Sequence, residues 1–219
     1  MVFYGLAQML KGSNVTRLLT TILITALAFT TLNSRADGIL VLGDSLAAGY
    51  GLERGEGWVD LMQQRIADSG RSIEVINASV SGETTSGGLS RLPDLLELHQ
   101  PDMVLLELGA NDGLRGIPLQ IVERNLDELV ALISAVDAQI VVLGNRLPPN
   151  YGPRYTQQFF ELFQKLADKH ELPLVPFLLD KVATEWDLMQ SDGLHPNAKA
   201  QPIILETVWQ VLEPELISD

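Results

Sequence analysis

Past residue 36 the chain alternates short apolar runs with longer stretches in which apolar residues recur every three or four positions. The runs at residues 38–42 (GILVL), 73–76 (IEVI), 103–108 (MVLLEL), 140–143 (IVVL) and Leu174–Val175 are short and nearly unbroken. Such runs predict strands covered on both faces, as in a parallel sheet. Between them Trp58, Leu61, Met62 and Ile66 share one helical face, as do Val122, Leu126, Leu129, Val130 and Ile133. Phe159, Phe163 and Leu166 repeat the spacing, and Ile204, Val208, Val211 and Leu212 close the chain. Strand–helix alternation of this kind predicts a doubly wound α/β fold, a three-layer α/β/α sandwich on a five-stranded parallel sheet. Ligands of such sheets bind at the carboxyl ends of the strands, so candidate chemistry is sought there.

The first 36 residues break the pattern. They hold Lys11, Arg17 and Arg35 and no acid, and residues 18–32 (LLTTILITALAFTTL) run fifteen positions without a charge. Asn33-Ser34-Arg35-Ala36 then places small residues three and one before a cut after Ala36. A basic start, a short apolar stretch and a small-x-small exit are the marks of a secretory signal peptide. As a helix the stretch reaches about 22 Å, short of the roughly 30 Å hydrocarbon core. The expectation is a signal peptide over 1–36, a single domain over 37–219, and a periplasmic or secreted product with no stable membrane anchor. No linker, low-complexity tract or internal repeat interrupts 37–219.

Composition narrows the functional classes. With 46% hydrophobic and 20% charged residues the 219-residue chain is globular rather than disordered. Asp and Glu number 28 against 15 Lys and Arg, a net charge of −13, and removal of residues 1–36 takes away only cations. An acidic surface repels phosphate backbones, so no nucleic-acid partner is expected. The absence of Cys removes thiol nucleophiles, disulfides and Cys-ligated zinc. Three scattered His make no metal-binding pattern, and neither metal nor cofactor is expected. No coiled-coil repeat calls for assembly, so a monomer is expected.

Four polar, glycine-bearing segments follow strands or close the chain: Gly43-Asp44-Ser45-Leu46, Asn77-Ala78-Ser79-Val80-Ser81-Gly82-Glu83-Thr84, Gly109-Ala110-Asn111-Asp112-Gly113 and Asp192-Gly193-Leu194-His195-Pro196. Ser45 alone reads as a turn or cap residue and His195 alone as a packed or solvated histidine. Together Asp192 and His195, three apart in one turn, carry more: the carboxylate accepts from one imidazole nitrogen and leaves the other free as a base. Acyl transfer also needs donors for an oxyanion. The Ser45 N–H, the Gly82 N–H and the Asn111 side-chain amide are suited to that task, although Gly82 also reads as a turn glycine and Asn111 as a loop-capping amide. Asp44 is expected to fix the turn around Ser45, Glu107 and Asp112 to be structural carboxylates, and His99 and His170 to be solvated.

The order Gly-Asp-Ser-Leu, a Gly, Gly-x-Asn-Asp and Asp-x-x-His resembles the SGNH (GDSL) hydrolases. The stretches VLGDSLAAGYG, NASVSGETTSGGL, ELGANDGLRG, RLPPNYGPRY and SDGLHPN are similar to its bacterial periplasmic thioesterase I / lysophospholipase / arylesterase branch. The resemblance implies a flavodoxin-like fold, Ser45 as nucleophile, His195 as base and Asp192 as its orienter. It further implies an oxyanion hole of the Ser45 and Gly82 N–H groups and the Asn111 amide. Ala110 departs from the Gly often found there. The Ser context, Gly43-x-Ser45-x-Ala47, differs from the G-x-S-x-G elbow of α/β-hydrolases. The implied substrate is a small-molecule acyl ester or thioester: an acyl-thioester, lysophospholipid or aryl ester. Apolar loop residues Leu114, Ile117, Leu147, Pro148, Pro149 and Tyr151 are the candidates for an acyl-binding wall. A carbohydrate acetylesterase of the same fold and a non-catalytic periplasmic ligand-binding module are the alternatives.

Overall fold

The computed structural model describes residues 37–216; the expected signal peptide and its cleavage point lie outside the described residues. Strands β1 (Asp37–Gly43), β2 (Ile73–Asn77), β3 (Met103–Glu107), β4 (Gln139–Leu143) and β5 (Leu174–Val175) pair in parallel in the order β2-β1-β3-β4-β5. The helices are α1 (Trp58–Asp68), α2 (Thr85–His99), α3 (Ala110–Leu114), α4 (Leu119–Ser134), α5 (Pro153–His170) and α6 (Gln201–Glu215).

Alternation along each strand builds two cores. Ile39, Val41, Met103, Leu105, Val141 and Leu143 meet Trp58, Met62 and Ile66 of α1 and Ile204, Val208 and Leu212 of α6. Leu40, Leu42, Val104, Leu106 and Val142 meet Leu92 of α2, Leu126, Leu129 and Ile133 of α4, and Phe159 and Phe163 of α5. Because both faces of the sheet are covered, successive strand positions are apolar, and the molecule is a three-layer α/β/α sandwich. Among the described residues no helix is long and apolar enough to cross a membrane.

One helix escapes the apolar periodicity. The buried positions of α2 are Thr85, Gly88, Leu92 and Leu96, so half of its inner face carries no large apolar side chain, and Pro93 stands inside it. Polar anchoring replaces the missing contacts. The Thr85 N–H and hydroxyl donate to the two oxygens of buried Asp112, at 2.8 and 2.6 Å, and Asn125 Nδ2 donates to the Thr85 hydroxyl at 3.0 Å. Strand β3 ends at Glu107, one residue before its apolar run does, because Leu108 turns into the α2-side core.

The connection from β1 runs out to β2 and returns across β1 to β3. This reversal opens a crevice at the carboxyl ends of β1 and β3, the place where such sheets bind ligands.

Candidate active site

Ser45 follows β1 by two residues, in a turn held from beneath. The Asp44 N–H donates to Glu107 Oε2 at 3.0 Å, the Leu46 N–H to Asp44 Oδ1 at 3.0 Å, and Trp58 Nε1 to the Leu46 carbonyl at 3.0 Å. Gly43 permits the close fit: a Cβ there would lie 2.8 Å from both Ala47 Cβ and Glu107 Oε2. The turn is thereby fixed by buried groups while Ser45 itself is half-buried at the rim.

Asp192 and His195 occupy a turn 150 residues away in sequence, closed by the Leu194 and His195 N–H groups donating to Asp192 Oδ1 at 2.9 and 3.0 Å. Asp192 Oδ2 lies 2.7 Å from His195 Nδ1, and His195 Nε2 lies 2.9 Å from Ser45 Oγ. A carboxylate at Nδ1 selects the tautomer with the proton there, leaving Nε2 to accept from the serine hydroxyl. Burial acts to raise the Asp192 pKa, but the His195 and Leu194 hydrogen bonds outweigh it and hold the carboxyl down at about 2. Asp192 is therefore a carboxylate at every pH where imidazole titrates.

Two further segments meet the turn that carries Ser45, at Gly43 and Asp44. The Val80 N–H donates to the Gly43 carbonyl at 3.0 Å, carrying the turn at Gly82 (φ 81°) to the end of β1, where Arg115 Nη2 donates to the Gly82 carbonyl at 2.9 Å. Asn111, at the start of α3, donates one amide hydrogen to Asp44 Oδ2 at 2.9 Å and has a second to offer. Among the described residues no acceptor within the chain takes the Ser45 or the Gly82 N–H. The four segments picked out in the sequence are thus brought together, with Ser45, His195 and Asp192 in hydrogen-bonded series.

Beneath them lies a buried carboxyl pair, Asp44 and Glu107, each 1% exposed. Burial foremost, then repulsion from Asp44, pushes Glu107 well above the ordinary carboxylate range. Burial raises Asp44 too, against hydrogen bonds from Leu46, Glu107 and Asn111. A group whose pKa is raised on folding stabilises the fold at low pH, and that contribution is lost as pH climbs through the folded-state value. Glu107→Gln, which copies the neutral acid, is expected to narrow the fall in melting temperature as pH rises above the ordinary carboxylate range. Thermal denaturation from pH 4 to 10 checks this; parallel curves for the two proteins across that range would contradict it.

The candidate acyl-binding residues sit nearby in a different state. Leu147 is buried under Gly113, and Leu114 and Ile117 are half-buried against the α2-side core. Pro148 is half-buried, Pro149 is exposed, and exposed Tyr151 donates its hydroxyl to the Leu114 carbonyl at 3.1 Å, stitching the two loops together. Beside β5 a cavity of about 500 Å³ is lined by Arg146, Phe160, Phe177 and Leu179 among others, and by none of those loop residues. Arg146 lies over the Phe160 ring, 3.8 Å from its centroid. Phe160 and Phe177 stand out of register with the apolar stripe of α5 and the strand runs, so periodicity does not find this cavity. His170 is a correction: it is half-buried with Nε2 2.8 Å from Asp127 Oδ1, because α5 lays its last turn against α4. Among the described residues no group of His, Asp and Glu is arranged to hold a metal ion.

Residues 41–202 match the GDSL-like lipase/acylhydrolase family. The chain belongs to this family. It is 46% identical over 181 residues to an arylesterase of Vibrio mimicus, covering 83% of this chain and 90% of that one. It is 42% identical over 179 residues to the thioesterase 1/protease 1/lysophospholipase L1 of Escherichia coli, covering 82% and 85%. The crystal structure of the psychrotrophic esterase EstA from Pseudoalteromonas sp., inhibited by monoethylphosphonate, superposes with a TM-score of 0.79 at 44% identity, over 82% of this chain and 98% of that one. For a GDSL-family chain, the GDSL serine and the hydrogen-bonded Asp–His turn occupy the expected crevice.

Proposed function

We infer that this chain hydrolyses carboxylic esters and thioesters by a two-step acyl transfer on Ser45. The observation that carries the reading is the series Asp192 Oδ2–His195 Nδ1, His195 Nε2–Ser45 Oγ, at 2.7 and 2.9 Å. Family membership and the names of relatives at 42–46% identity support the reaction class.

Ser45 Oγ attacks the acyl carbonyl carbon while His195 Nε2 takes the hydroxyl proton. Asp192, ionised throughout, holds the imidazole and balances the imidazolium. The carbonyl oxygen becomes an oxyanion received by the Ser45 and Gly82 N–H groups and the second Asn111 amide hydrogen. His195 returns the proton to the departing alkoxide, or a thiolate leaves with little help. Water then repeats the sequence on the acyl-enzyme, releasing the acid and Ser45. The base must be neutral to accept the serine proton, so activity is expected to fall toward acid pH.

The acyl chain lies along the wall made by Leu114, Ile117, Leu147, Pro148 and Tyr151. Rates for p-nitrophenyl esters from acetate to palmitate are expected to peak beyond acetate, and Leu114→Ala/Ile117→Ala is expected to lower long-chain relative to short-chain turnover. An acetate-only profile would instead favour a carbohydrate acetylesterase. An unchanged profile in the double variant would remove Leu114 and Ile117 from the path of the acyl chain. Export as a monomer into the periplasm or medium, after cleavage at Ala36, completes the reading. An exported protein that begins at Asp37 supports it, and one that keeps Met1 contradicts it.

A further inference from the structure

The half-exposed ring of Tyr50 lies against the imidazole of His195, centroids 4.5 Å apart and planes tilted by 41°. Tyr50 is tied at both ends of its backbone. Its N–H donates to the Ser45 carbonyl at 3.1 Å, and its carbonyl accepts from Gln190 Nε2 at 2.8 Å. Gln190 is the link to the other segment: its Nε2 also donates to the Pro196 carbonyl at 3.0 Å, and its N–H to the His195 carbonyl at 2.7 Å. Gly51, with φ at 74°, clears the way, since a Cβ there would overlap the Gln190 amide. Ser45, Tyr50, Gln190 and His195 thus form a closed ring of contacts across 150 residues of sequence.

We propose that Gln190 and Tyr50 are positioning residues for His195: Gln190 fastens the far end of the serine turn, at Tyr50, to the Asp192–His195 turn, and the Tyr50 ring holds the imidazole in line with Ser45 Oγ. The proposal rests on the reading of Ser45 as nucleophile and His195 as base. Asp192 fixes one nitrogen of the imidazole but leaves the ring free to swing about that contact; a packed aromatic face removes this freedom. The same face is electron-rich and attracts the imidazolium formed in each half-reaction. The other charged groups bearing on His195 are the Asp192 carboxylate and, through space, Asp44. The Tyr50 hydroxyl takes no part in the clasp, which needs only the ring.

The test measures p-nitrophenyl butyrate hydrolysis and the rate of phosphonylation by a p-nitrophenyl alkylphosphonate, with the full chain and its Tyr50→Ala, Tyr50→Phe, Gln190→Leu and Ser45→Ala variants. Displacement of a catalytic group by a fraction of an ångström costs on the order of tenfold, so Tyr50→Ala and Gln190→Leu are expected to lose about tenfold in kcat, with KM held within about twofold. Phosphonylation should slow by a similar factor, because it draws on the same base. Tyr50→Phe should retain the parent rate. Tyr50→Ala and Gln190→Leu proteins that melt with the parent and keep its kcat overturn the proposal, as does a Tyr50→Phe loss as deep as that of Tyr50→Ala. Full activity in Ser45→Ala would sink the underlying reading instead, which separates the two failures.

Discussion

His195→Ala is expected to lower ester turnover by about 10⁴–10⁶-fold, the scale on which serine hydrolases lose rate when the base or nucleophile is removed. The size follows from the geometry. Among the described residues His195 Nε2 is the one basic nitrogen within hydrogen-bond reach of Ser45 Oγ, at 2.9 Å, so no neighbour inherits its task. Asp192 is 2.7 Å from the other ring nitrogen and acts only through it, so Asp192→Asn should cost less than His195→Ala. The fold should tolerate the loss, since the turn is closed by backbone N–H groups donating to Asp192 and by Gln190. Steady-state kinetics with p-nitrophenyl butyrate decides it: a His195→Ala enzyme within tenfold of the parent would remove His195 from the scheme.

Asn111→Ala is expected to reduce kcat by about 10²–10³-fold, as for a single side-chain donor in an oxyanion hole. KM should change little, because the missing hydrogen bond strengthens only as charge develops on the carbonyl oxygen. Asn111 has a second duty. Its amide donates to Asp44 Oδ2 at 2.9 Å, and Asp44 is almost wholly buried beside Glu107. Removing the amide strips a donor from a buried carboxylate, so the variant should also melt lower, the expected cost being about 1–3 kcal/mol. A variant that loses stability but keeps its kcat would reduce Asn111 to a structural support for Asp44.

Much of this architecture is legible in the sequence because burial is written there. Strands covered on two faces carry unbroken apolar runs, and α1, α4, α5 and α6 carry apolar stripes that match their buried faces. Helix α2 is hidden because Thr85, Gly88 and the Asp112 carboxylate do the anchoring that apolar side chains do elsewhere. The site segments were legible for a similar reason: three follow strands directly, and Asp192 and His195 are local partners. What joins those segments left no trace. Tyr50 meets Gln190 through a backbone carbonyl 140 residues away, and Arg115 meets Gly82 in the same manner, so neither spacing nor residue type announces the contact. The raised pKa of Glu107 depends on its depth and on Asp44 beside it, both properties of the folded chain.

The acyl-enzyme is the centre of the account, and the most direct measurement is the intact mass of the protein quenched in acid during turnover of a slowly deacylating p-nitrophenyl ester. The account predicts a species heavier by one acyl group, located by peptide mapping on Ser45 and missing from Ser45→Ala. Ester turnover that persists in Ser45→Ala, or an acyl group carried on another residue, would contradict it.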